Sequence, residues 1–290
     1  MCTASWRITP EGYELLFNRD ERRERPLAQP PARFHSAAYQ TQALMPIDPL
    51  GQGSWIAVNQ YGLSLCLLNH YQGETPNSAD SSRGQIVRAL AFCPDAASVM
   101  SQFSQLRLAR FAPFTLLILA PSADTTAQDI PAVCWDGKQM LVCPVDAPVT
   151  SSSVAFETVR QNRHETFAQL TSEHISPETL MQFHHSHAPD HGFSSVCMHR
   201  EHSQTVSLTQ VLCNKNTVQM HYYDKAPVRN RVYFNRPYNE PFPQCLRHRP
   251  RFKGMTYETI IDTASAGVQP LLHLLSFCQR GSYLHQLFQR

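Results

Sequence analysis

The stretch Met1-Cys2-Thr3-Ala4-Ser5-Trp6-Arg7-Ile8-Thr9-Pro10-Glu11-Gly12-Tyr13-Glu14-Leu15-Leu16-Phe17-Asn18-Arg19-Asp20-Glu21 opens the chain. Cys2 to Ile8 reads as a strand, Thr9 to Gly12 as a turn and Tyr13 to Phe17 as the returning strand. Such a hairpin carries Arg19 and Asp20 back beside Cys2. Removal of Met1 would leave Cys2 with a free α-amine and a thiol on one residue. Their ordinary pKa values, about 7.7–8.0 and about 8.5, supply a base and some thiolate near neutrality. An N-terminal amine that activates its own side chain is a known catalytic arrangement. A guanidinium at Arg19 would favour the thiolate, and a carboxylate at Asp20 would orient the ammonium or the arginine. Residue chemistry alone leaves a competing reading open. Any chain can carry cysteine at its second position, and the run Arg19-Asp20-Glu21-Arg22-Arg23-Glu24-Arg25 has the composition of a solvated loop.

Further segments favour the first reading. After Met1-Cys2-Thr3, Asn18-Arg19-Asp20-Glu21 and Arg25-Pro26 come Gly53-Ser54-Trp55-Ile56, Tyr61-Gly62-Leu63, Leu68-Asn69-His70-Tyr71 and Ser82-Arg83-Gly84. This ordered set resembles the NRDE family, the transport-and-Golgi-organisation protein 2 family. More distantly it is similar to the choloylglycine hydrolase and penicillin V acylase group. The resemblance is strongest over about the first 90 residues and does not extend past about residue 225.

It implies a four-layer αββα sandwich of the N-terminal nucleophile (Ntn) hydrolase kind, in the α+β class. It also implies roles. Cys2 would be the nucleophile, with Arg19 and Asp20 orienting and polarising it. Asn69, at the end of a strand, would donate its amide to a tetrahedral oxyanion. Asn18 would lie in the oxyanion and substrate region, and Arg200 would steady the site. The second oxyanion asparagine of the acylase group falls at Ser151 or Ser152, within Ser151-Ser152-Ser153. A hydroxyl there is a shorter, freely rotating donor, and loss of one such donor typically costs about 10²–10³ in rate. The same serines have the composition of a helix cap for Phe156 to Leu170.

Composition sets limits. The chain has 290 residues, 42% hydrophobic, and a net charge of +2. That suits one large domain with an appendage and gives no reason to expect nucleic acid. Nine scattered cysteines without a Cys-x-x-Cys pair read as reduced thiols, pointing to a cytoplasmic setting. Pro10-Glu11-Gly12 interrupts any leader-like apolar run, and Phe114 to Ala120 is too short to span a membrane.

Along the chain, Arg22 to Gln42 reads as a Pro- and Arg-rich loop, partly extended over Ala28 to Phe34. Ser54 to Asn59 and Leu63 to Asn69 form the clearest hairpin. Helices are expected over Ser82 to Phe92 and from an Asp95 cap through Phe103. A buried strand is expected at Phe114 to Leu119 and a hairpin around Asp136-Gly137-Lys138. Ser176-Pro177 opens a further helix. Antiparallel strands follow over Val196 to Arg200, Thr205 to Cys213 and Thr217 to Tyr223. Helices bracketing two runs of strands fit an α+β sandwich with helices outside.

Six histidines fall between His184 and His202 without a recognisable zinc spacing, which favours an exposed His-rich loop over a metal centre. Thr256 to Ala264 and Val268 to Phe277 read as a docked helical extension. These expectations give an Ntn-hydrolase-like domain at 1–235 and an extension at 236–290. The activity expected is hydrolysis of a linear amide of a small molecule, with no external cofactor, no metal and no membrane span; homo-oligomers are compatible with it. The alternative is a non-catalytic carrier for haem, acyl-CoA or another amphipathic ligand.

Overall fold

The computed structural model describes residues 1–121 and 128–224. The expected extension at 236–290, with its two helices, lies outside them. The opening hairpin pairs β1 (Cys2–Thr9) with β2 (Gly12–Arg22) in a register that sets Cys2 opposite Arg19 and Thr3 opposite Asn18. Gly12 has φ +153°, and a Cβ there would collide with the Cys213 carbonyl, so the turn requires glycine.

Two antiparallel sheets face each other. One has the order β10-β1-β2-β11-β12, with β10 (Val149–Ser151), β11 (Ser203–Asn214) and β12 (Val218–Asp224). The other is a seven-stranded meander in chain order: β3 (Gln29–Ser36), β4 (Thr41–Ile47), β5 (Ile56–Asn59), β6 (Ser64–Asn69), β7 (Phe114–Leu119), β8 (Ile130–Trp135) and β9 (Met140–Val145). Strand periodicity then sorts the side chains. Ala4, Trp6, Leu15 and Phe17 meet Ile56, Val58, Leu68 and Leu117 between the sheets. Leu65, Leu67 and Leu116 face outward onto α1 (Gly84–Leu90) and α2 (Ala96–Phe103). Leu16 and Leu208 face the opposite way, onto α3 (Phe156–Leu170) and α4 (Pro177–His185). These three cores make four layers, helix–sheet–sheet–helix. Each fully buried Leu or Phe contributes about 1.5–3 kcal/mol.

The helix caps follow sequence logic where a short polar residue precedes the helix. Asp95 accepts from the Ser98 N–H, and Ser176 forms a capping box with Thr179. The triple serine caps nothing in this way. The α3 N-cap is Ala155, with φ 42° and no side-chain cap, and Ser152 Oγ bonds within its own turn to Val154.

Three expected local structures differ. The charged run starts as strand, because β11 pairs along the free side of β2 with Thr205 opposite Asp20 and Ser203 opposite Arg22. Within the expected loop 22–42, Gln29–Ser36 pairs with β4, and its register slips between Gln29 and Ala32, where Pro30 and Pro31 lack N–H donors. Val196 to Arg200 is irregular rather than strand. Its backbone is bonded to Asn18, Ser186 and His191, and it touches the start of β11 through a single bridge, His199 to Gln204, with the Thr205 N–H donating to the Met198 carbonyl.

The loop before β5 packs against the start of α1. Ser54 N–H donates to Gly84 O at 3.0 Å, and a Cβ on Gly53 would run into the Gly84 backbone. Gly53→Ala is expected to cost about 1–3 kcal/mol, read as a lower thermal midpoint. An unchanged midpoint would show that the two segments are free to separate.

Candidate active site

Where the ends of β1, β2 and β6 meet, a cleft of about 890 Å³ opens; Cys2, Arg19, Asp20, Asn69 and Arg200 all line it. Cys2 lies at its base, only 9% exposed. Its backbone nitrogen donates to Ser151 Oγ at 3.0 Å, because β10 pairs with β1 in a register that sets Ser151 opposite Cys2. Met1 precedes it, buried, with its carbonyl accepting from the Asp20 N–H at 3.0 Å and its sulfur 2.8 Å from Ser152 Oγ. Burial pushes the Cys2 thiol above its ordinary pKa, against the opposing pull of the terminal ammonium and the Asp20 N–H. The thiol therefore stays protonated until a base acts on it.

Arg19 shares the inner face with Cys2. Its guanidinium stacks 4.2 Å over Trp55 and pairs with Glu21 at 3.2 Å and Asp48 at 3.7 Å. Asp48 also takes Arg25 at 2.6 Å, so the acid run and the cleft wall are tied together. Asn69 ends β6, with Nδ2 donating to the Tyr71 hydroxyl at 2.8 Å. Arg200 sits at the rim, where its carbonyl accepts from Arg23 Nε at 2.9 Å.

Asn18 points the other way, as alternation along β2 requires. Its Nδ2 donates to the His184 and Val196 carbonyls at 2.8 and 3.1 Å, joining the sheet to the α4 layer. The Asp20 carboxylate also turns toward that layer. It accepts from Thr205 Oγ1 at 2.6 Å and lies 3.6 Å from Arg163 Nη2. Burial raises the Asp20 pKa, and Arg163, the terminal ammonium and Thr205 oppose the rise.

Arg163 is the residue that sequence reasoning missed. Fully buried, it reaches from α3 to the hydroxyls of Thr3 and Thr150 and the carbonyls of Ser194 and Ser195. A signal was present: Val159, Arg163 and Phe167 recur at helical spacing on one stripe, and all three are buried. A charge on an apolar stripe demands a buried partner.

Behind Cys2, Ser5 Oγ lies 2.8 Å from His184 Nε2. Burial drives the His184 pKa down from 6.5 to about 3. The unfolded chain takes up a proton below about pH 6.5 and the folded chain does not, so stability present above that pH is lost as pH falls toward 3. From pH 6.5 to 4 this group alone is expected to cost roughly 3 kcal/mol. Urea unfolding as a function of pH should show a shallower acid-side loss in His184→Gln. Parallel curves for the two proteins would refute the assignment.

Among the described residues, Cys2, Cys66, Cys93, Cys197 and Cys213 are free thiols. No helix among those residues is long and apolar enough to cross a membrane.

Comparison with known proteins agrees with this architecture. The N-acylethanolamine-hydrolyzing acid amidase ortholog of Caenorhabditis elegans superposes with a TM-score of 0.51 at 10% identity, covering 72% of this chain and 92% of that one. A penicillin V acylase from Agrobacterium tumefaciens gives 0.46 at 11% identity over 77% and 86%. A variant of the conjugated bile acid hydrolase of Clostridium perfringens gives 0.45 at 10% over 81% and 97%. No curated protein sequence matches the chain. The profile of the Transport and Golgi organisation 2 family matches residues 1–139. Over those residues, just under half of the chain, the sequence is similar to the Transport and Golgi organisation 2 family, and the fold is an Ntn-hydrolase-like α+β sandwich.

Proposed function

We propose that the protein is a cysteine Ntn amidohydrolase, acting on a linear amide of a small molecule once Met1 has been removed. The observation that carries this is the seat of Cys2: thiol and backbone nitrogen of one residue at the base of a cleft, the nitrogen 3.0 Å from Ser151 Oγ. With Met1 gone, that nitrogen becomes the α-amine. Ser151 Oγ accepts one of its hydrogens and aims its lone pair toward the thiol.

The amine takes the thiol proton and the thiolate attacks the substrate carbonyl carbon, giving a tetrahedral oxyanion. The Asp20 N–H, released from the Met1 carbonyl, and Asn69 Nδ2 are the donors for that oxygen. Collapse of the adduct breaks the C–N bond. The ammonium passes its proton to the departing amine and a Cys2 thioester remains. Water, deprotonated by the same α-amine, then cleaves the thioester to a carboxylic acid and restores the thiol. No metal or cofactor enters the cycle.

The α-amine and thiol are held in place from behind. Asp20 steadies the end of β2 through Arg163 and Thr205, and Arg19 is fixed against Trp55. Arg200 at the rim contributes charge to the cleft mouth.

The test is the intact mass of the purified protein before and after a thiol-directed acylating probe, with the labelled residue mapped. Loss of Met1 and preferential labelling of Cys2 are expected, and retained Met1 would overturn the mechanism. Ser151→Ala, which removes the partner of the amine, is expected to slow Cys2 acylation by about 10-fold to 10²-fold. An unchanged rate would remove Ser151 from the proposed machinery.

A further inference from the structure

Three histidines that sequence spacing does not connect meet in the segment between α4 and β11. The ligand-capable atoms of His187, His191 and His199 all lie within 4.8 Å of one another. Their ring centroids are 4.1, 5.1 and 5.8 Å apart. The backbone makes the meeting: the His199 N–H donates to the His191 carbonyl at 2.9 Å, and the Cys197 N–H to the Ser186 carbonyl at 2.9 Å. We propose that His187, His191 and His199 form a binding site for a divalent transition-metal ion of the zinc class.

Three features argue for a ligand set beyond a His-rich surface. First, His187 Nδ1 lies 2.8 Å from the Cys197 carbonyl oxygen. A carbonyl can only accept, so Nδ1 carries the proton and Nε2 presents its lone pair. That backing is what a metal-bound imidazole uses to fix its tautomer. Second, the donors are three imidazoles, a set suited to zinc, copper or nickel rather than to magnesium or calcium. Third, the geometry is within reach. Imidazole nitrogens sharing one ion at about 2.0–2.1 Å sit roughly 3.3 Å apart, so the rings need to close by no more than about 1.5 Å. His191 and His199 are exposed, which leaves them room to do so. The neighbouring Cys197 thiol lies 3.6 Å from His199 Nε2 but is not one of the mutually close donors, so the set is all-nitrogen.

An ion here would lock the segment that lies behind the candidate active site. Its Ser194 and Ser195 carbonyls hold Arg163, and its Val196 carbonyl holds Asn18. The proposal does not depend on the amidohydrolase reading, because binding is measured without turnover.

The full chain, stripped with chelator and dialysed, would be titrated with Co²⁺ and then with competing Zn²⁺. One saturable equivalent is expected, with visible d–d bands but without the near-ultraviolet thiolate charge-transfer band. A rise in thermal midpoint should accompany it. His191→Gln and His199→Gln should each weaken binding by more than about tenfold, and His174→Gln, an exposed histidine outside the cluster, should leave it unchanged. Absence of a saturable site in the unmodified chain, a thiolate band, or unaltered affinity in the two cluster variants would overturn the site.

Discussion

Replacing Cys2 by alanine is expected to abolish acylation at the N-terminus and any amide turnover, lowering the rate by at least about 10⁴-fold. The fold should survive, because the substitution removes one sulfur from a position at the cleft base and leaves the β1 pairings with Arg19 and Ser151 intact. The comparison is best made by mass-resolved labelling across all the cysteines. Buried thiols such as Cys93 and Cys213, pushed up to about 11 and about 12, are poor competitors at neutral pH. If the Cys2→Ala protein were acylated overall as fast as the unmodified protein, the nucleophile would lie elsewhere. A fixed extension on the N-terminus supplies the complementary variant. It keeps the thiol and converts the base into a peptide nitrogen, so it should be as inactive as Cys2→Ala.

The second large effect concerns stability. Arg163→Met is expected to destabilise the chain by about 3–5 kcal/mol, since it strands the Asp20 carboxylate and the Ser194 and Ser195 carbonyls in the interior. The discriminating measurement is a double-mutant cycle in urea. Asp20→Asn with Arg163→Met should cost clearly less than the sum of the two single changes, because the unpaired charge is gone. Additive losses would mean that Asp20 and Arg163 are held independently and that the 3.6 Å approach carries no coupling.

What could be read from the sequence divides along the range of the forces involved. The opening hairpin, the 54–69 hairpin and the Asp95 and Ser176 caps follow from residues a few positions apart, and they were legible. The four-layer arrangement came from the ordered resemblance, with periodicity in agreement. The length of β2 was not legible. Asn18 to Arg22 has the composition of a loop and becomes strand through pairing with β11, nearly two hundred residues away. The histidine cluster escaped for the same reason, since backbone bonds between irregular segments have no sequence period. For Cys2, Arg19, Asp20 and Asn69 the sequence indicated a shared neighbourhood. It could not indicate that Ser151 meets the Cys2 nitrogen, because that depends on the register of β10 against β1.

The first residue has one more consequence. Its carbonyl is pinned by the Asp20 N–H and its side chain is tucked beside Ser152, so the Met1–Cys2 amide holds the donor that the proposed mechanism assigns to the substrate oxyanion. On the proposed mechanism a molecule that still carries Met1 is latent, and removal of that residue matures it. A preparation then contains latent molecules to the extent that Met1 is retained. Its specific activity would report how completely the first methionine has been trimmed before it reports anything about affinity for a substrate.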